Sequence, residues 1–255
     1  MMKIEKELIN GNKKYSRDNP FVYEGNYYHD YFRAMPFLRI KKMLDKAGIT
    51  LDNKSVLIAS CGCGIDAHYL KKFYNPGSFC FSDIETIAME KSQSVFSDES
   101  FVLVNNEQLA FKDNAFDYVF VAASLHHLRE PVRGLYELLR VAKHALIVIE
   151  PNDTRLTRMF EKLGFAQEYE VEHGNYVYRF DKRGVDKINK ALLFKCYIDR
   201  FFSIHRVAKN KIEFMVLKLL NSLANIVYPD LGNYIIFTII KERQSVPGKK
   251  KSNEK

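Results

Sequence analysis

The chain has 255 residues, 47% of them hydrophobic and 13% aromatic, which suffices for one elaborated domain or two small ones. The first twenty residues mix charges throughout and lack the apolar core of a signal peptide. The apolar region 214–240 is interrupted by Lys218, Pro229 and Asp230, so no stretch reaches the roughly 18 residues of a membrane span. We therefore expect a soluble, cytoplasmic protein without a membrane span.

The net charge of +8 is unevenly distributed along the chain. Residues 241–255 contain six Lys or Arg and two Glu, so this segment alone contributes +4. Its composition predicts a disordered basic tail over 243–255. The rest of the chain is only mildly basic, which argues against a nucleic-acid partner, and the oligomeric state is left open.

The first half of the chain alternates between two hydrophobic periods. The spacing of Phe37, Ile40 and Leu44 predicts a helix over 27–47, which we interpret as an N-terminal helical lid within residues 1–48. Strands are then predicted at 55–59, 78–81, 101–104, 118–122 and 145–149, and helices from 67, at 84–95 and at 132–142. Strands that alternate with helices predict an α/β fold with a doubly wound, mostly parallel sheet.

The pattern changes after Glu150. It predicts a helix at 155–163, a hairpin at 166–180, a helix at 183–193, a strand at 196–202, a helix at 207–227 and a strand at 233–240. We predict one domain over 49–242, a seven-stranded sheet, and a cap insertion over 152–180. The helix 207–227 is expected to pack on the sheet; contact with a membrane or a lipid-linked acceptor is the alternative.

The turn Ser-Cys-Gly-Cys-Gly at 60–64 follows the first strand and precedes a helix. Cys61 and Cys63 are too few and too close for a structural metal site, so no metal is predicted. Gly62, Gly64 and Ala67 satisfy the G-x-G-x-x-G/A spacing, and Asp83 follows about 20 residues later, as in dinucleotide-binding proteins. A nucleotide cofactor and a simple tight turn with Asp66 as helix N-cap both fit these residues.

The neighbouring motifs decide between these interpretations. Over 54–151 the sequence resembles the class I S-adenosylmethionine-dependent methyltransferases. The matching segments are VLIASCGCG, FSDI, AFKDNAFD, SLHHL and the helix that carries Glu137 and Arg140. The resemblance implies a Rossmann-like methyltransferase fold and S-adenosylmethionine as the cofactor.

The resemblance also implies positions for the cofactor. The turn at Ser60, Cys61, Gly62 and Gly64 should lie under its methionine and ribose. Asp83 should accept from the ribose hydroxyls and Ile84 should pack on adenine. Asn105 or Asn106, with Glu107, should lie at the adenine edge. Ala123 should line the sulfonium end. We further expect Arg33, on the N-terminal helix, to meet the methionine carboxylate.

Two positions depart from the family pattern. Ile58 stands where an acid is usual, and Ser60 replaces the first glycine, so the cofactor ammonium lacks its customary anionic partner. A non-catalytic binding module that keeps the fold is therefore an alternative to an enzyme.

Candidates for chemistry follow strands four and five. His126 and His127 come after strand four, where ligands bind in open α/β sheets, and His126 is preferred as the general base. Glu150 is expected to orient a histidine or the acceptor. The predicted substrate residues are Tyr31, Asn152, His173 and Tyr176. The predicted reaction is methylation of an oxygen or nitrogen of a small metabolite or sugar; an RNA substrate is the alternative that charge alone supports.

Overall fold

The computed structural model describes residues 27–164, 166, 168–170, 174–203 and 208–243. The predicted tail from 244 onward, the start of the predicted lid and His173 lie outside these residues. Within them, the chain forms a seven-stranded sheet covered by helices on both faces and a separate two-stranded hairpin.

The strands of the sheet are β1 (Ser55–Ala59), β2 (Ser78–Asp83), β3 (Ser100–Leu103), β4 (Phe116–Ala122), β5 (Ala142–Pro151), β8 (Phe194–Phe201) and β9 (Tyr234–Arg243); β6 (Tyr169–Glu170) and β7 (Asn175–Tyr176) form the hairpin. Their order in the sheet is β3-β2-β1-β4-β5-β9-β8. The order reverses at β1, with β2 and β3 on one side and β4 and β5 on the other. These five strands are parallel, and β9 runs antiparallel to both β5 and β8. The predicted doubly wound α/β fold is confirmed.

Seven α-helices accompany the strands within the described residues. They are α1 (Tyr27–Ala47), α2 (Ile65–Leu70), α3 (Thr86–Val95), α4 (Pro131–Val141), α5 (Arg155–Lys162), α6 (Lys182–Leu192) and α7 (Lys211–Val227). A 3₁₀ turn, Leu125–His127, follows β4.

Two apolar layers enclose the sheet because side chains alternate along each strand. On β1, Val56 and Ile58 join the layer beneath α1, α2 and α3, whereas Leu57 and Ala59 join the layer beneath α4 and α6. The helix of the predicted lid belongs to the first layer, where its Ile40 is 1% exposed. Both faces of β1 therefore pack against apolar side chains.

Helix α7 does not pack on the sheet, so that expectation is wrong. Ile212, Leu219 and Ile226 are 60–76% exposed along one side of the helix. Its other side contacts α1, where the rings of Phe214 and Tyr31 lie 5.3 Å apart. The sheet face beside β8 is already covered by α1, whose Arg39 pairs with Asp199 of β8 at 2.9 Å. Among the described helices, none has the length and hydrophobicity needed to cross a bilayer.

Arg140 of α4 fixes the loop between β3 and β4. Its guanidinium donates to the carbonyl oxygens of Leu109 and Phe111 and to the carboxylates of Asp113 and Glu137. The Glu137 carboxylate also accepts from the Leu109 N–H at 3.0 Å. This network holds the loop that leads into β4, and so gives Glu137 and Arg140 of the sequence motif a structural role.

Replacing Arg140 with Met should destabilise the protein by about 2 kcal/mol or more, because two carbonyls and two carboxylates lose a charged donor. Arg133→Met on the same helix is the matched control. The Arg133 side chain is 58% exposed and forms a surface ion pair with Glu130. Its loss should therefore change the free energy of unfolding by less than about 0.5 kcal/mol. Urea unfolding measures both; equal effects would contradict the anchoring role.

Candidate functional site

The turn after β1 has an unusual backbone. Ser60, Gly62 and Gly64 all have positive φ, at 49°, 51° and 80°. The Cys61 N–H donates to the Ser82 carbonyl at 2.9 Å, which ties the turn to β2. Ser60 is a non-glycine residue in the left-handed region, which is uncommon, and its hydroxyl accepts from Asn106 Nδ2 at 2.7 Å. These left-handed residues let the chain reverse direction within a few residues between β1 and α2.

Asp83, at the end of β2, holds this turn in place. Its Oδ2 accepts from the Gly62 N–H at 2.8 Å, and its Oδ1 accepts from the N–H groups of Ile84 and Glu85. Each carboxylate oxygen can accept more than one hydrogen bond, so Oδ2 keeps capacity for a ligand hydroxyl. A Cβ added to Gly62 would meet no atom within 4 Å, so the backbone here faces open space.

A cavity of about 530 Å³ lies above the turn. Its walls come from α1, the turn and α2, the end of β4, and the ends of β8 and β9. The lining residues include Phe32, Arg33, Pro36, Ser60, Cys61, Gly62, Asp66, Ala123, Ile149, Phe201 and Tyr234. Arg33, which the sequence predicts at the methionine carboxylate, therefore lines the same cavity as the glycine turn.

Asp66 is the acid in this cavity that the sequence interpretation placed differently. The N-cap of α2 is Gly64, not Asp66, and Asp66 lies in the first helical turn instead. Burial raises the pKa of Asp66 to about 7, and the nearby Arg33 guanidinium partly opposes that shift. Ile58, at the usual acidic position, is fully buried in the core and does not reach the cavity.

Cys61 belongs to the core rather than to a reactive site. It is buried, its Sγ lies 3.7 Å from Met89 Sδ, and burial raises the pKa of its thiol to about 12. A thiol with so high a pKa is a poor nucleophile at neutral pH. Cys63 lines the cavity beside Gly62.

The predicted adenine residues lie on the β2 and β3 side of the turn, outside the cavity. Ile84 is 70% exposed, so its side chain is accessible to a flat ring such as adenine. Asn105 and Glu107 interact with each other at an exposed position. Asn106 is buried, its amide nitrogen is used by Ser60, and its Oδ1 has no hydrogen bond within the described part of the chain.

A second set of polar groups lies where β4 and β5 end. The Glu150 carboxylate is completely buried. Its Oε1 accepts from the Ser124 and Leu125 N–H groups at 2.9 and 2.7 Å, and His126 Nδ1 lies 2.6 Å from its Oε2. A carboxylate that accepts at both oxygens fixes His126 with its proton on Nδ1, which leaves a lone pair on Nε2.

The hairpin of β6 and β7 covers this turn. Asn175 Nδ2 donates to the His126 carbonyl at 2.9 Å, and Glu170 Oε2 lies 2.9 Å from His127 Nδ1. A second cavity, of about 360 Å³, opens between the hairpin and the strand ends. Its lining residues include Ala123, His126, His127, Thr157, Glu170, Val177, Arg179 and Tyr234.

Three predicted substrate residues lie outside both cavities. Tyr31 is buried between Phe32 and Phe214. Asn152 is buried and donates from Nδ2 to the Gly232 carbonyl at 2.7 Å, so it fastens β5 to the loop before β9. The Tyr176 ring is 61% exposed, and its hydroxyl donates to Glu168. His126, His127 and Ala123, which the sequence predicted as site residues, line the second cavity. Glu170 and Arg179 also line it and were missed, because only the folded hairpin brings them there.

Comparison with known proteins agrees with this geometry. Residues 57–149 match the family model described as a methyltransferase domain. Over these residues the chain is similar to the methyltransferase domain family. The match spans β1 to β5 and so includes the glycine turn, Asp83 and the two histidines. A search of curated protein sequences finds no match to the chain.

Solved structures share the fold across nearly the whole chain. A magnesium protoporphyrin IX methyltransferase from Synechocystis PCC 6803, with bound SAH, is 16% identical with a TM-score of 0.58, and the alignment covers 94% of this chain and 99% of that one. A SAM-dependent methyltransferase from Thermotoga maritima is 15% identical with a TM-score of 0.55, covering 95% and 100%. The predicted class I methyltransferase fold is confirmed. The match to the methyltransferase domain model indicates an enzyme that uses S-adenosylmethionine as its cofactor.

The open space at Gly62 provides a test of where this cofactor binds. Gly62→Ala should place a methyl group against the cofactor and lower the affinity for S-adenosylmethionine at least tenfold in calorimetry. Gly48→Ala is the matched control, because Gly48 also has positive φ and open surroundings but lies at the end of α1. Both variants should lose roughly 1 kcal/mol of stability to backbone strain. An unchanged affinity in Gly62→Ala would place the cofactor elsewhere.

Proposed function

We propose that the methyltransferase acts on an oxygen or nitrogen of a small metabolite or sugar, with the acceptor in the second cavity and the methionine end of the cofactor in the first. The observation that carries this proposal is that Ala123 and Tyr234 line both cavities. A methyl group held beside Ala123 is within reach of an acceptor on the far side of that residue. Direct transfer between two bound partners needs such adjoining sites.

The residues around the first cavity match the parts of the cofactor. Gly62 leaves room for close approach, and Asp83 is already oriented by three backbone N–H groups to accept from ribose hydroxyls. Arg33 suits the methionine carboxylate. Asp66 is the acid that we assign to the ammonium group, in place of the acid that Ile58 replaces. This assignment favours a cofactor-binding enzyme over a module that has lost its ligand.

When bound, S-adenosylmethionine supplies an electrophilic methyl group. The protein must then orient the acceptor and remove its proton when the acceptor is a hydroxyl. His126 suits that task because its Nδ1 is held by Glu150, which leaves Nε2 to accept a proton, and the side chain lines the second cavity. Glu150 acts as a positioning residue: it aligns the imidazole and stabilises the cation that forms when Nε2 takes the proton.

The second cavity favours a small, polar acceptor. About 360 Å³ is near the lower end of the range for ligand pockets. Its walls mix charged and polar groups, among them Arg179, Glu170 and His127, with the apolar side chain of Val177. Hydroxyl-rich molecules such as sugars make hydrogen bonds with such groups, whereas a large flat apolar acceptor would displace their water without replacing its hydrogen bonds.

A labelled-methyl transfer screen tests the proposed function. The full chain is incubated with methyl-labelled S-adenosylmethionine and a pool of sugars, nucleotide-linked sugars and small hydroxylated or amino metabolites, with mixed RNA in a parallel reaction. The proposal predicts label in a small acceptor. Label only in RNA would exclude the proposed substrate class, and tight cofactor binding with no transfer to any acceptor would indicate a binding module.

With an acceptor in hand, His126→Ala should lower turnover by roughly 10² or more and leave the affinity for S-adenosylmethionine nearly unchanged. His144→Ala is the control, because His144 is half-exposed at the other end of the sheet, near Asp117. Glu150→Gln should reduce kcat more than it raises KM. The amide oxygen can still accept from the turn, but the alignment of the imidazole and the stabilisation of its cation are lost. Normal turnover in His126→Ala would exclude it as the proton acceptor.

The assignment of Asp66 predicts a pH dependence of cofactor binding. Because the pKa of this buried carboxyl is raised to about 7, it is mostly neutral at pH 6 and gains charge as the pH rises. Affinity for S-adenosylmethionine should therefore increase between pH 6 and pH 7.5, where the ligand ammonium is still largely protonated. Asp66→Asn should bind more weakly at pH 7.5 and lose this pH dependence; a parallel pH profile in the variant would refute the assignment.

A further inference from the structure

Three metal-ligating side chains converge on the wall of the second cavity. One ligand atom from each of His126, His127 and Glu170 lies within 4.8 Å of the other two. Glu170 Oε1 is 3.9 Å from His126 Nε2, and Glu170 Oε2 is 2.9 Å from His127 Nδ1. The histidines come from the turn after β4 and the carboxylate from β6, so the grouping exists only because the hairpin folds over that turn.

The hydrogen bond between His126 and Glu150 determines which nitrogen of His126 is left to bind a cation. Its Nδ1–H is committed to Glu150, so the neutral ring presents a lone pair at Nε2 toward Glu170 Oε1, which is also an acceptor. In this neutral tautomer neither atom carries a proton, so both can bind a cation. Glu170 Oε2 is buried and makes no well-aligned hydrogen bond within the described residues. A cation bound among these atoms satisfies all of them.

The chemistry of the donors points to one class of cation. Two imidazole nitrogens and one carboxylate, with a fourth position open, are the ligand set of catalytic zinc sites. Two ligands about 2.1 Å from a tetrahedral ion lie about 3.4 Å apart, and the observed separations of 2.9 and 3.9 Å lie on either side of that value. A histidine ligand typically donates its other ring N–H to a carboxylate, as His126 does to Glu150.

We propose that His126 Nε2, His127 Nδ1 and the Glu170 carboxylate bind one divalent transition-metal ion of the zinc type, with its open position toward the second cavity. The site deepens the proposed function and rests on it for its purpose. An acceptor hydroxyl that binds the open position has its pKa lowered by the ion and releases its proton to solvent. His126 is then a ligand in the metal-loaded protein and the proton acceptor only in the metal-free protein.

Metal binding can be measured without cofactor or acceptor. Untagged full-length protein is stripped with a chelator and titrated with Zn²⁺ by calorimetry and with Co²⁺ by visible absorption. We expect one ion per chain, and cobalt bands typical of tetrahedral nitrogen and oxygen ligation without a sulfur-to-cobalt charge-transfer band. A charge-transfer band would place the ion on Cys63 instead and overturn the proposal, as would the absence of zinc binding.

Variants locate the site. His127→Ala and Glu170→Ala should each lower zinc affinity at least 100-fold, whereas His144→Ala should leave it unchanged. Unchanged affinity in Glu170→Ala would overturn the proposal. Every variant is checked by thermal melting, and zinc should raise the Tm of the parent protein but not that of Glu170→Ala.

Binding of S-adenosylmethionine by the stripped parent protein separates this inference from the proposed function. A protein that binds the cofactor and transfers methyl groups but binds no zinc retains the proposed function without the metal. A protein that binds zinc at this site but no cofactor retains the metal site and loses the proposed function.

Discussion

The buried carboxylate of Glu150 is the interaction on which the site depends. A carboxylate with no exposed surface is stable only when its oxygens accept hydrogen bonds, and three donors from one short turn supply them. This single residue at the end of β5 therefore fixes the backbone after β4, the orientation of His126 and the place of Ala123 between two cavities. The catalytic geometry follows from satisfying one buried charge.

The same physical rule operates at the other end of the site. Asp83 ends β2 and accepts from three backbone N–H groups, one of them in the glycine turn, so the turn after β1 is shaped by a carboxylate on its neighbour. Parallel strands bring these chain ends to one edge of the sheet, and the reversal of strand order at β1 opens space there. The two cavities thus lie side by side because neighbouring strands end together at this edge.

Much of this could be predicted from the sequence, because it depends on local pattern. The alternation of strands and helices, the glycine turn, Asp83 and the histidines after β4 are all encoded within short segments. Predictions failed where distant segments decide the outcome. Asp66 fits an N-cap by local rules, but Gly64 takes that place and Asp66 faces the cavity. Helix α7 reads as a core helix, but α1 already covers the sheet beside β8. Glu170 meets the histidines only through the hairpin, and no local signal reveals it.

We propose that the methyl group is held at Ala123, between the glycine turn and the second cavity. A crystal structure with bound S-adenosylhomocysteine is the direct test of this position. We expect the homocysteine moiety in the first cavity near Arg33 and Asp66, the ribose hydroxyls on Asp83, and the sulfur beside Ala123 facing His126. A ligand in another place, or a sulfur turned away from the second cavity, would contradict it.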